Sequence, residues 1–312
     1  INGVIMKILI TGGAGFIASH LVDALVSNGH DVCVVDNLST GDICNVNKEA
    51  KFYEIDILDS IELKSIFEFE KPDLVSHHAA QTSVRLSEEN PTNDVSTNVI
   101  GTLNVLNLCL NYDVKKIIFP STCAVYSEPS YLPMDEEHPI DPKSIYGLSK
   151  YTAENYIRFF SKSNVLKYTI FRYGNVFGPR QNPLGEAGVV SIFTGQMLNG
   201  IQPVIFGDGN KTRDYVYVSD IVQANLNALG EISDNQIFNL GSGKEISDFE
   251  IFSSVRNNVG IDVEPNFANI RKGEAKRVSL SIKKANEILK WKPKVLLDQG
   301  ILEVVRTFKK VS

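Results

Sequence analysis

The stretch Thr11-Gly12-Gly13-Ala14-Gly15-Phe16-Ile17-Ala18 directly follows an apolar run, residues 8–10, and opens a helical pattern over residues 16–27. Small residues between a strand and a helix let backbone N–H groups and the positive helix end approach a diphosphate. That makes Gly12, Gly15, Phe16 and Ile17 candidate cofactor contacts. Ala18 takes the third small position, which serves close helix–sheet packing and accepts alanine. The next apolar run ends in Asp36, roughly 20 residues further on, where a carboxylate accepts from the ribose hydroxyls of an adenosine. Asn37 and Leu38 follow, with no nearby arginine for a 2′-phosphate, so the pattern predicts NAD rather than NADP. Asp56 and Ile57, after the third run, are candidates to border the adenine, although an Asp at a strand exit is also an ordinary turn former.

A turn of this kind constrains everything around it. Apolar runs at 8–10, 32–35, 52–55, 74–75, 117–119 and 168–172 alternate with helical patterns at 16–27, 61–69, 98–110 and from about Leu148 to Phe160. Unbroken apolar strands that alternate with helices imply a parallel sheet covered on both faces, a doubly wound Rossmann-type α/β fold. Glycines and prolines crowd residues 174–188 and break the rhythm. This predicts a NAD-binding domain over residues 6–174 and a smaller α/β lobe over 175–312, with a strand near 236–241 returning to the main sheet. Within the lobe, a helix is expected to be capped by Ser219 or Asp220, and another opens on the capping box Ser247-Asp248-Phe249-Glu250.

Composition narrows the function. The 312 residues are 43% hydrophobic, which suits a well-cored globular chain and excludes general disorder. Thirty-one basic against 37 acidic residues give a net charge of −6 without a polybasic run, so no nucleic-acid partner is expected. No apolar stretch approaches the roughly 20 residues that span a bilayer, and no basic-then-apolar leader opens the chain. Met6-Lys7 leads straight into the first run, so residues 1–5 are left out of the fold reading as an extension. Four scattered cysteines, Cys33, Cys44, Cys109 and Cys123, form no C-x-x-C pair and suit reduced thiols in a cytoplasmic protein. His77 and His78 are adjacent on a strand and point to opposite faces, so no metal site is expected.

Tyr146-Gly147-Leu148-Ser149-Lys150 puts a phenol and an ammonium on one face of a helix. An ammonium, together with an oxidised nicotinamide, favours the phenolate, and Tyr146 then serves as a base for a hydroxyl proton. Ser121 and Thr122 end the apolar run 117–119 and its extension, at the carboxyl edge of the sheet where ligands bind in such folds.

These motifs, with Ala79-Ala80-Gln81, the segment from Arg172-Tyr173 through Asn175 to Arg180, and Arg213-Asp214-Tyr215-Val216, together resemble an extended short-chain dehydrogenase/reductase over essentially residues 6–308, most closely its UDP-hexose 4-epimerase branch. The resemblance implies Tyr146 as base, Lys150 as its activator and ligand of the nicotinamide ribose, and Thr122 as assisting hydroxyl with Ser121 in reserve. It places Ala79, Ala80, Gln81, Asn98 and Tyr173 at the cofactor. For a nucleotide sugar it implies Asn175, Arg213 and Arg271 at the diphosphate and Val204 and Phe206 at the uracil, with Val189 and Glu274 also in contact. Val278 would stand beside the sugar's 2-substituent, where a small side chain admits an N-acetyl group. The implied reaction is epimerisation at C4 of a UDP-hexose, or of its N-acetylated counterpart, with NAD retained. A homodimer through helices at 98–110 and 148–160 is implied as well. Members that dehydrate or decarboxylate carry a carboxylate before the Val-Tyr pair; Cys123 and Ala124 stand there instead. A UDP-glucuronate epimerase and a catalytically idle NAD-binding module are the alternatives, and intact Thr122, Tyr146 and Lys150 weigh against the second. Two departures are Pro120, often serine, and Ser127, usually glycine.

Overall fold

The computed structural model describes residues 5–126, 128–162, 165–183, 188–269 and 275–311. In the first half, strands β1 (Lys7–Thr11), β2 (Asp31–Asp36), β3 (Lys51–Glu54), β4 (Leu74–His77), β5 (Lys116–Thr122) and β6 (Lys167–Tyr173) alternate with helices. These are α1 (Phe16–Ser27), α2 (Ser60–Glu70), α3 (Val84–Glu89), α4 (Pro91–Val95), α5 (Gly101–Asn111) and α6 (Ile145–Lys162). A π turn, Ser96–Ile100, joins α4 to α5 where sequence periodicity predicts the start of one continuous helix. Then come β7 (Asn175–Phe177), α7 (Val189–Leu198), β8 (Val204–Phe206), β9 (Thr212–Arg213), β10 (Tyr215–Tyr217), α8 (Val218–Asn227), β11 (Gln236–Leu240), β12 (Ile246–Ser247), α9 (Asp248–Val259), β13 (Asn266–Ala268), α10 (Lys283–Leu289) and α11 (Leu297–Val311).

Seven strands form one parallel sheet in the order β11-β6-β5-β4-β1-β2-β3. The strands are buried along nearly their whole length because both faces are covered, as all-parallel sheets require. On one face Ile8, Ile10, Val32 and Val34 pack with α1 and α8; on the other Leu9, Val35, Val75, Ile117 and Phe119 pack with α2, α5 and α6. This is the Rossmann-type fold. The order of strand addition reverses between β1 and β4, which run parallel, so the crevice at their carboxyl ends is where a ligand belongs.

The remaining strands pair two by two: β7 with β10, β9 with β12 and β8 with β13. Beside them α7, α9 and α11 enclose a separate apolar cluster containing Phe177, Phe193, Ile205, Phe252 and Ile301. Buried Asp214 ties this lobe to the sheet. Its Oδ1 accepts from Ser242 N (2.5 Å) and Ser242 Oγ (2.8 Å), and its Oδ2 accepts from Gly243 N (3.1 Å) and Leu280 N (2.9 Å).

Two helix starts differ from expectation. Helix α6 begins at Ile145, ahead of Leu148, because its first N–H groups find side chains: Ile145 N donates to Glu88 Oε1 (3.0 Å), Tyr146 N to Ser87 Oγ (3.0 Å) and Gly147 N to Ser144 Oγ (3.0 Å). Helix α8 is capped by neither Ser219 nor Asp220. It starts at Val218, and Asp220 lies in its first turn with its carboxylate accepting from Lys294 N and Val295 N (both 3.1 Å). Ser247 and Glu250 form the capping box expected of α9.

Candidate active site

The glycine turn sits at the switch between β1 and β4. Gly12 has φ +70°, and a Cβ there would lie 2.6 Å from Ala79 N, so the turn tolerates only glycine. Helix α1 follows from Gly15 with no side-chain cap and no acidic residue in its first turn. Its leading N–H groups and positive end are thus left to an anionic ligand, a donor set that fits a dinucleotide diphosphate. Phe16 and Ile17 form that first turn and are half-buried. Asp36 accepts from Ala14 N (2.9 Å) and Leu38 N (2.8 Å), holding the turn against the end of β2. A carboxylate has about four acceptor positions, so these two bonds leave room for ribose hydroxyls. Asn37 donates to Asp56 Oδ2 (2.8 Å), and Ile57 is buried.

Thr11, Ala79 and Asn98 are joined by a second chain of bonds. Ala79 N donates to Thr11 Oγ1 (3.1 Å), which lies 2.7 Å from His77 Nδ1; His77 Nε2 lies 3.0 Å from Thr102 Oγ1, which donates to Asn98 O (2.7 Å). Because the Thr102 hydroxyl is spent on Asn98, His77 carries its proton on Nε2 and accepts at Nδ1. Burial holds His77 and His78 down to about 3, so both rings are neutral. The Asn98 side chain accepts from Gln81 N (2.9 Å) and reaches Gln81 O, Asp94 Oδ2 and Ser149 Oγ (3.0, 3.2 and 3.1 Å). Its amide therefore shapes the Ala79-Ala80-Gln81 segment. Among the described residues no group of three or more His, Cys, Asp or Glu side chains is arranged to hold a metal ion.

Tyr146 and Lys150 lie one turn apart in α6. A Cβ on Gly147 would come within 2.3 Å of Ala124 O, so the glycine brings α6 against the turn that follows β5. That approach sets the Tyr146 phenol against the Thr122 hydroxyl. Burial pushes the phenol above its ordinary range and Thr122 pulls it back; burial brings the Lys150 ammonium down to about 7, opposed by the charges of Glu154 and Asp94. Lys150 Nζ stands 4.0 Å from the Phe119 ring centroid. Thr122 Oγ1 accepts from Ala124 N (3.1 Å), which leaves its proton for a partner. Ser121 is committed elsewhere: its hydroxyl donates to Glu154 Oε1 (2.5 Å). Glu154 also takes Arg172 through two bonds, Nε to Oε1 (3.1 Å) and Nη2 to Oε2 (2.7 Å). Cys123 is a thiol, pushed up to about 11 by burial. Tyr173 is buried beside Phe171, and its hydroxyl accepts from Asn225 (2.9 Å).

On the lobe side, Asn175 opens β7 next to β6, and its N–H donates to Asp214 O (2.7 Å). Val189 begins α7, and Val204 and Phe206 flank buried Ile205 in β8. Arg213 Nη1 donates to Thr212 O and Ala275 O (both 2.8 Å). Arg271 and Glu274 lie outside the described residues. Val278 is buried in a small apolar cluster with Val125, Tyr126, Met134 and Leu280. The structure thus brings Thr122, Tyr146, Lys150, Asn98 and the glycine turn to one crevice, with Asn175 at its edge. Sequence reading missed Glu154 and Asp94; Glu154 had a signal, since Tyr146, Lys150 and Glu154 recur at intervals of four.

A crevice of this design, with an uncapped helix over a glycine turn and a tyrosine and lysine beside a strand-end hydroxyl, defines a dinucleotide-dependent oxidoreductase site. Residues 8–241 match the NAD dependent epimerase/dehydratase family, and the chain belongs to it. The solved UDP-glucose 4-epimerase of Thermotoga maritima, determined with UDP-glucose, is 47% identical, with TM-score 0.96 over 98% of this chain and 99% of that one. The UDP-glucose 4-epimerase of Mycolicibacterium smegmatis is 38% identical over 98% of this chain and 100% of its own length. A UDP-glucuronic acid 4-epimerase from Bacillus cereus, solved with UDP-4-deoxy-4-fluoro-glucuronic acid and NAD, is 30% identical, with TM-score 0.91 over 98% of this chain and 100% of that one.

Proposed function

We propose that this protein catalyses the NAD-dependent 4-epimerisation of a UDP-hexose, the UDP-galactose/UDP-glucose pair or its N-acetylhexosamine counterpart. The observation that carries the reading is the half-buried Tyr146 phenol set against Thr122, with buried Lys150 one turn along, in the same crevice as the uncapped α1 terminus. Bound NAD supplies an acceptor for the C4 hydrogen and gives it back. The rest is the work of side chains. Tyr146 takes the O4 proton and later returns it, Thr122 orients O4, and Lys150 favours the phenolate by its charge. Residues 6–174, with the strand near 236–241, serve the cofactor, and residues 175–312 serve the nucleotide sugar. There the planar guanidinium of Arg213, with Arg271, suits diphosphate oxygens.

A proton NMR time course with UDP-galactose, UDP-N-acetylgalactosamine and catalytic NAD tests this. Growth of either gluco epimer is expected, and the ratio of the two rates reports whether the wall around Val278 admits an N-acetyl group. The Bacillus cereus relative supports a second reading, a UDP-glucuronate epimerase. Turnover of UDP-glucuronate with neither hexose changed would favour that reading, and no turnover of any of the three sugars would overturn both.

We also propose a homodimer through α6, where Leu148, Tyr156 and Phe159 form an exposed apolar stripe and Ile100 is exposed at the head of α5. Light scattering is expected to give twice the chain mass, and a monomer for Phe159→Glu.

A further inference from the structure

The charge on Lys150 has to be balanced inside a nearly closed site. Lys150 is 4% exposed, and its Nζ stands 4.0 Å from the centroid of the Phe119 ring. Two carboxylates favour its charge, Glu154 one turn along α6 and Asp94, which Asn98 Nδ2 ties to Ser149, the residue before Lys150, through bonds to Asp94 Oδ2 (3.2 Å) and Ser149 Oγ (3.1 Å). Glu154 is already matched by Arg172, which holds both of its oxygens. Asp94 is different. It lies in α4 and is fully buried; its Oδ2 accepts from two neutral amides, Gln81 Nε2 (2.9 Å) and Asn98 Nδ2 (3.2 Å), while its Oδ1 has no hydrogen-bond partner among the described residues. Burial raises the Asp94 carboxyl toward its neutral form, and the charge of Lys150 is among the groups that draw it back toward the carboxylate.

The groups around the two can be taken element by element. His77 and His78 at the end of β4 are neutral, Arg172 on β6 is matched by Glu154 on α6, and Cys123 after β5 is a thiol. Glu88 on α3 accepts from Ile145 N, and Arg85 on α3 pairs with Glu89. Among the described residues, Lys150 is the cation left to balance Asp94. We propose that Asp94 is a positioning residue for the reaction, the charge partner that holds Lys150 as an ammonium beside Tyr146. This rests on the reading of Tyr146 and Lys150 given under Proposed function.

The test is Asp94→Asn in the NAD-loaded protein, with the Lys150 amine followed by heteronuclear NMR in lysine-labelled material. Removing a negative charge favours the neutral amine, so the Lys150 midpoint is expected to fall by about one pH unit. The alkaline limb of kcat/KM is expected to move to lower pH with it. An unmoved Lys150 midpoint, with activity reduced equally at every pH, would overturn the proposal, because a purely structural loss moves no limb. Should the variant fail to fold, the unaltered holoenzyme decides: the Asp94 carboxyl carbon must report an ionised group at pH 7, and a neutral one overturns the proposal. The Lys150 titration is read without turnover, so its outcome is separate from a failure of the epimerase reading, which would appear as no sugar conversion by the unaltered protein.

Discussion

On the sheet side of the crevice, Thr11, Asp36, Thr122 and Tyr173 end strands of five, six, seven and seven residues, and ladder register fixes each of them. On the lobe side, Asn175, Val204 and Arg213 sit on strands of three, three and two residues, each paired with a single neighbour. Main-chain ladders place the first group. Side-chain bonds such as those of Asp214 and Arg213 place much of the second. On the proposed reading, the chemistry rests on the part set by ladder register, and sugar recognition on the part that depends on a few polar contacts.

Substitutions should separate the two regions. The largest effect is expected from Tyr146→Phe: turnover falls by about 10³-fold or more while NAD binding persists, measured by NMR time course and by cofactor titration. Next is Asp214→Ala on the lobe side. It leaves the N–H groups of Ser242, Gly243 and Leu280 without their acceptor and is expected to cost about 3 kcal/mol or more, read from denaturant midpoints.

The sheet side also carries a pH signature. His77 stays neutral in the fold down to about pH 3, whereas in the unfolded chain it binds a proton below about pH 6.5. Its contribution is intact above pH 6.5 and is lost as pH falls through the window toward 3, by up to about 1.4 kcal/mol per unit. Urea unfolding at pH 7 and pH 5 measures that slope, and His77→Gln should flatten it. The smallest effect is expected from Arg213→Lys: KM for the UDP-sugar rises about tenfold with kcat little changed, since a point charge replaces a planar fork. A fall in kcat there instead would break the division between the two regions.

The same contrast explains what the sequence made legible. The glycine turn and Asp36 could be found because phosphate binding dictates both residue types and their spacing, and Tyr146 and Lys150 because one helical turn separates them. The start of α6 was displaced because Glu88 and Ser87, nearly sixty residues upstream, supply acceptors for its first N–H groups. Asp220 reads as a cap locally, yet its acceptors serve Lys294 and Val295, more than seventy residues away. Ser121 and Thr122 are alike as neighbouring strand-end hydroxyls and only the family resemblance ranks Thr122 first; the bond from Ser121 to Glu154 supplies a physical reason for that order. In each case the deciding partner is distant in sequence, and no local pattern records it.

The bonded line through Thr11, His77 and Thr102 has a further consequence. It begins at a peptide N–H, Ala79, and ends at a peptide carbonyl, Asn98, with every hydrogen between them pointing the same way. Such a line passes no proton, because neither end can release or receive one and its members would all have to turn around together. The line is thus a dead end for protons, and on the proposed reading it offers no route out for a proton lifted by Tyr146.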